Sequence, residues 1–150
     1  MDIIGFEIGE RDNPANGLAD AVNNFINGRN LVDIVREVEL PCSARDGKPH
    51  RAGRYVGLPP EEIFLPSPRL LGEPTTYYDH DSAEGKIAVL GCGCGDVGCW
   101  PLWVKIALRD DVVIWSGFEQ PHRPGWRYDE IRPFVFDRTQ YLSAIDRGPG

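Results

Sequence analysis

The stretch from Lys86 to Phe118, KIAVLGCGCGDVGCWPLWVKIALRDDVVIWSGF, decides the fold. Its middle part places Trp100, Leu102, Val104, Ile106 and Leu108 on every second position, with Pro101, Lys105 and Arg109 between them. That is the period of a half-buried strand. Arg109, Asp110 and Asp111 form a polar break of hairpin length, after which Val113 and Trp115 alternate with Val112 and Ile114. With the apolar run from Lys86 to Gly91 ahead of it, the pattern predicts three strands in an antiparallel meander. Trp103 and Trp115 lie off the main apolar face, so the sheet is either covered on both sides or exposes an aromatic patch.

The first two strands are joined by Cys92-Gly93-Cys94-Gly95-Asp96-Val97-Gly98-Cys99, far longer than a tight hairpin turn requires. Alternate residues of an extended segment point the same way, so Cys92 and Cys94 can present sulfur on one side while the glycines let Cys99 fold back toward them. This makes a three-sulfur corner for a metal such as Zn2+, whose fourth ligand is Cys42 or one of His50, His80 and His122. The spacing is C-x-C followed by C-x4-C, not a pair of C-x2-C knuckles, so a metal is suggested without being specified. Two other readings stay open. The cysteines can be small buried hydrophobes beneath the loop, or one of them can be a redox or nucleophilic thiol. A reactive thiol needs a cation, a metal or a helix N-terminus beside it, and the only charge in the loop is Asp96. A disulfide between Cys92 and Cys94 would close a very small, strained ring.

Composition bounds the class. At 150 residues, 41% hydrophobic and 26% charged, the chain reads as one globular domain, residues 1–150, able to bury a core without disulfides. Its first residues are neither basic nor apolar enough for a signal peptide, and no run approaches a membrane span. A cytoplasmic setting with reduced thiols is the expectation. The net charge of −7 repels phosphate backbones and anionic membranes, which argues against nucleic acid and membrane as partners.

Elsewhere the signals are mixed. Ile4, Phe6 and Ile8 alternate with Gly5, Glu7 and Gly9 as in a strand, and residues 10–17 read as a turn-forming loop. Leu18, Ala21, Val22, Phe25 and Ile26 match a helical face, yet Asn23-Asn24 and the sharp Asn27-Gly28 also permit a strand ending in a turn. Leu31 to Glu39 reads as a helix capped by Asn30, with Asp33 in its first turn, stopped by Pro41. Prolines then recur too often for long elements up to Gly85, apart from a helical turn after Pro59, where Glu61 and Glu62 complement the positive end of the helix. The Asp79-His80-Asp81 triplet is expected in a solvated loop. Beyond the meander, Pro121 and Pro124 rule out a helix, leaving His122, Arg123, Trp126 and Arg127 as a cradle for a carboxylate or phosphate, unless Asp129 and Glu130 satisfy the arginines locally. Pro133 to Phe136 is extended and leads to a helix from Arg138 to Asp146, with Asp137 as cap, Gln140 reaching back as in a capping box, and fraying at Gly148 to Gly150.

The segments GRNLVDIVREVELP, YVGLPPEEIF, LLGEP, VLGCGCGDVGCWPL, VIWSGFEQPHRPGWRY and PFVFDRTQY, in this order, resemble a family of uncharacterised bacterial proteins across most of the chain. The CGCGxxGCWPL and WxxFEQPHR motifs carry the likeness. It implies a bacterial, intracellular setting and transfers no substrate, partner or catalytic residue. The expectation is a single α+β domain, an antiparallel sheet with two or three flanking helices and a proline-rich central region. No Ser/His/Asp set, phosphate loop or paired carboxylate signature is present, so the leading function is a non-enzymatic binding or interaction protein, regulatory or immunity-like, whose partner is a protein or small ligand. The alternative is a thiol-dependent oxidoreductase using Cys92, Cys94 or Cys99.

Overall fold

A computed structural model describes residues 1–13, 17–75, 79, 85–94 and 97–146. The meander is there and is longer than three strands. A five-stranded antiparallel sheet runs in chain order through β4 (Tyr55–Gly57), β5 (Ile87–Cys92), β6 (Leu102–Leu108), β7 (Val112–Glu119) and β8 (Phe134–Asp137). Every residue of β5 is buried, as befits a strand with neighbours on both edges and both faces. Trp103 and Trp115 are buried too, which settles the choice in favour of a sheet covered on both sides.

A second antiparallel sheet consists of β1 (Ile4–Asn13), β2 (Gly17–Ile26) and β3 (Arg29–Asn30). The ambiguous segment at Leu18 is therefore a strand, and residues 10–13 extend β1 instead of forming a loop. Cross-strand pairing along the whole hairpin overrides the helical match, and the Asn24 amide is buried with Nδ2 donating to the Val89 carbonyl of the other sheet. Asn27 and Gly28, at φ of 54° and 78°, make the tight turn into β3. The two sheets touch where the Val22 amide donates to the Leu58 carbonyl at 2.8 Å. A side chain at Gly57 would place its Cβ 2.0 Å from the Val22 carbonyl oxygen, so only glycine permits that crossing.

The helices α1 (Leu31–Arg45), α2 (Pro60–Ile63) and α3 (Arg138–Asp146) flank the sheets. Asn30 caps α1, its side chain accepting from the Val32 amide. Pro41 does not stop α1, which carries it internally. The lost amide donor is outweighed by burial of Cys42 and Ser43 in the last turn, which the Asp46 amide closes onto the Cys42 and Ala44 carbonyls. Asp137 caps α3 through the Gln140 amide, but the Gln140 side chain makes no capping box. It turns to β1 and brackets Ile4, accepting from its amide and donating to its carbonyl. Tyr141 anchors α3 in the core, its hydroxyl donating to the Leu70 carbonyl and accepting from Trp115 Nε1.

Among the described residues the proline-rich region holds only short elements, as its composition predicts, around one buried arginine. Arg69 is completely buried and donates to Glu62, Asp79, Thr75 and the Ala88 carbonyl. Asp79 is thus interior and not in a solvated loop, while Tyr77, Tyr78, His80, Asp81, Ser82, Gly95, Asp96 and Gly148 to Gly150 lie outside the described residues. Glu62 is the Arg69 partner, a role its place at a helix start does not reveal.

Candidate metal centre and its arginine pocket

Cys92 is the last residue of β5, buried and paired in register with Tyr55 of β4. From there the chain turns outward, and the Gly93 amide donates to the Arg54 carbonyl at 3.2 Å, tying the loop to the residue before β4. A 3-10 turn, Val97–Cys99, then folds back over the strand it left. That return needs Gly91: a Cβ there would sit 2.8 Å from Val97 Cγ2 and 3.1 Å from Val97 Cα.

The result is convergence. The sulfurs of Cys92, Cys94 and Cys99 all lie within 4.8 Å of one another, one buried and two exposed. The Cys94 amide also approaches Cys92 Sγ at 3.5 Å, a donor aimed at sulfur. In a tetrahedral site with Zn–S bonds of about 2.3 Å the sulfurs stand roughly 3.8 Å apart, so the thiols need to close by no more than about 1 Å. The cluster could hold a metal ion. Burial pushes the Cys92 thiol up to about 12, with the neighbouring Cys94 and Cys99 thiols adding to the rise and the Cys94 amide opposing it. A thiolate there wants a cation, and a divalent ion that replaces the protons supplies it.

Cys42 is not part of this group. It lies on the core face of α1, 2% exposed, and among the described residues no fourth cysteine, histidine or carboxylate joins the three sulfurs. His50 is exposed in the 3-10 turn Pro49–Arg51. The described residues therefore offer three ligands, the number found where one coordination position stays open.

Beside the sulfurs lies a cavity of about 170 Å³ lined by Arg51, Arg54, Cys92, Cys99 and Trp100. Both arginines come from the segment leading into β4, brought here by the Tyr55 to Cys92 register. Among the described residues neither forms an ion pair. The loop carries no cation, as its sequence shows, but the fold brings two to the cavity. The only sequence signal was the basic cluster of Lys48, His50, Arg51 and Arg54 in an acidic chain.

Glu39 fixes that segment from below. Completely buried, it accepts from the Gly53 amide at 2.7 Å, from the Tyr55 hydroxyl at 2.6 Å and from the Tyr128 hydroxyl, while Gln120 donates to Tyr55. Burial raises its carboxyl above the ordinary value, outweighing the two tyrosines and the amide. Tyr55 and Tyr128 are raised by the same burial and by the Glu39 charge.

The four residues expected to cradle an anion are divided among other tasks. Arg127 pairs with Asp129, as its local sequence allowed. Arg123 lies over the indoles of Trp100 and Trp126, at 5.0 and 5.9 Å from their centroids, and donates to the His122 carbonyl. Trp126 donates its Nε1 to Asp46. His122 stacks on Trp100 at 5.9 Å, so this loop backs the pocket wall instead of forming a fork for a ligand. Glu119 is taken by Lys86 at 2.6 Å.

Comparison with protein-family models, with curated proteins and with solved structures gives no match. Among the described residues, no helix is long and apolar enough to cross a membrane.

Proposed function

We propose that this is a non-enzymatic binding protein of bacterial, intracellular type that carries a thiophilic divalent ion, zinc in the first place, on Cys92, Cys94 and Cys99. One observation carries the reading: three sulfurs separated in sequence by two tight backbone bends meet within 4.8 Å. Burial of small apolar thiols does not explain this, since Cys94 and Cys99 are exposed. Zinc in place of the thiol protons would bind the loop to the end of β5 and set the shape of the surface around it.

Metal analysis of the purified protein, with thiol titration before and after chelation, tests it. One equivalent of zinc protecting three thiols, with Cys42 silent in both titrations until the protein is unfolded, is the expected result. Metal-free protein that takes up no zinc and leaves Cys94 and Cys99 freely titratable ends the proposal.

A second reading, thiol chemistry at Cys92, Cys94 or Cys99, is favoured by Arg51 and Arg54 lining the cavity that Cys92 and Cys99 also line, since a cation stabilises a thiolate. Native alkylation followed by mass spectrometry separates the two. One of these cysteines reacting far faster than the others in metal-free protein selects thiol chemistry.

A further inference from the structure

We infer that the cavity beside the sulfurs is the binding site of a short-chain carboxylate, which takes the open fourth position of the metal and is held by Arg51 and Arg54. The inference rests on the metal reading above and adds the ligand. Two observations support it.

The first is coordination. Among the described residues three sulfurs leave a tetrahedral ion one ligand short, and Cys92 and Cys99 line the cavity themselves, so an incoming donor reaches the ion from there. The second is charge. Counting the described residues alone, a divalent ion with three thiolates carries one net negative charge, and the two guanidiniums turn this into one net positive charge. A single carboxylate neutralises the site, whereas a phosphate dianion overshoots it. Guanidinium forks match carboxylate geometry, and among the described residues these two have no carboxylate of their own.

Size sets the rest of the class. At about 170 Å³ the cavity holds the equivalent of roughly five or six waters, each about 30 Å³, which suits a ligand of a few carbons. The Trp100 face, fixed by His122 and Arg123 on its other contacts, gives the short apolar tail a wall.

Cobalt-substituted protein tests this, because thiolate-to-cobalt charge transfer reports the sulfurs and the d–d bands report the fourth ligand. Propionate, inorganic phosphate and chloride are titrated at constant ionic strength. The expected result is a saturable d–d change with propionate, weaker or absent with the other two. Arg51→Gln and Arg54→Gln should each weaken propionate by roughly tenfold with charge transfer unchanged, the loss of a charge-assisted hydrogen bond. Charge transfer without any response to propionate overturns the inference and leaves the metal reading standing, as does equal affinity in the arginine variants. Tighter binding of phosphate than of propionate overturns the charge argument. Absence of the charge-transfer band fails the metal reading itself. Circular dichroism of each variant confirms its fold, and one arginine variant decides the question if the other unfolds.

Discussion

Arg69 and the pair Arg51 and Arg54 differ in who answers their charge. Arg69 is fully buried, and the chain itself brings Glu62 at 3.0 Å, Asp79 at 2.7 Å, Thr75 and the Ala88 carbonyl to it. Arg51 and Arg54 line an open cavity beside three sulfurs, and no described residue neutralises them. The Arg69 group spends all its hydrogen-bonding capacity on the fold: Asp79 also accepts from the Ala88 and Thr75 amides, fastening the start of β5. The pocket group leaves its capacity unspent. A charged cluster that the chain completes is architecture, and one that it leaves incomplete is where a ligand belongs.

The largest expected break in this contrast comes from Arg69→Met. Removing the guanidinium leaves the Asp79 carboxylate buried without its cation, at a cost of about 3–5 kcal/mol in chemical denaturation, with no change in metal stoichiometry in whatever folds. A loss near zero would mean that Asp79 takes up a proton or another partner. Glu39→Ala comes next. It orphans the Tyr55 and Tyr128 hydroxyls and the Gly53 amide, costs about 2–3 kcal/mol, and loosens the segment carrying Arg51 and Arg54, so ligand affinity and stability should fall together.

The same two networks respond to pH with opposite signs. For Asp79, burial alone would raise the carboxyl, but Arg69 and the Ala88 and Thr75 amides outweigh it and hold it below its ordinary 3.8. Its stabilising contribution is therefore full above 3.8 and is lost as the pH falls through the lowered value. Glu39 is raised above its ordinary 4.5, so its contribution is full below 4.5 and is lost as the pH rises through the raised value. In denaturation midpoints taken from about pH 3 to about pH 7, Asp79→Asn should lose most relative to the parent at the neutral end, while Glu39→Gln should gain on the parent as pH rises. Parallel curves for the two variants would refute this assignment.

Smaller effects sharpen the contrast within single residue types. Cys99→Ser should abolish metal uptake and leave the metal-free fold intact, since the side chain is exposed, whereas Cys42→Ser should disturb the core and leave metal stoichiometry at its parental value. Metal loss in the second variant would reinstate Cys42 near the centre. Arg127→Ala should leave the denaturation midpoint where it was, because the pair with Asp129 lies in solvent.

Much of the fold is legible where the signal is local. The alternation from Leu102 to Leu108, the polar break at 109–111, the Asn30 cap and the helix from Arg138 all follow from period, turn chemistry or capping within a few residues. Leu18 to Ile26 fits both a helical and a strand template, and the pairing with β1 chooses between them. Pro41 reads as a stop because its ring removes a donor, yet burial of the residues after it carries the helix on.

The site divides in the same way. Sequence by itself determined which sulfurs could meet, because alternation within an extended segment and glycine-permitted bends act over a few residues, and Cys92, Cys94 and Cys99 lie within that reach. Only the tertiary structure decided that Cys42 stays in the core and that Arg51 and Arg54 stand beside the thiols. Those placements depend on the register of β4 on β5 and on Glu39 holding Gly53, contacts between residues far apart in the chain that no local pattern encodes.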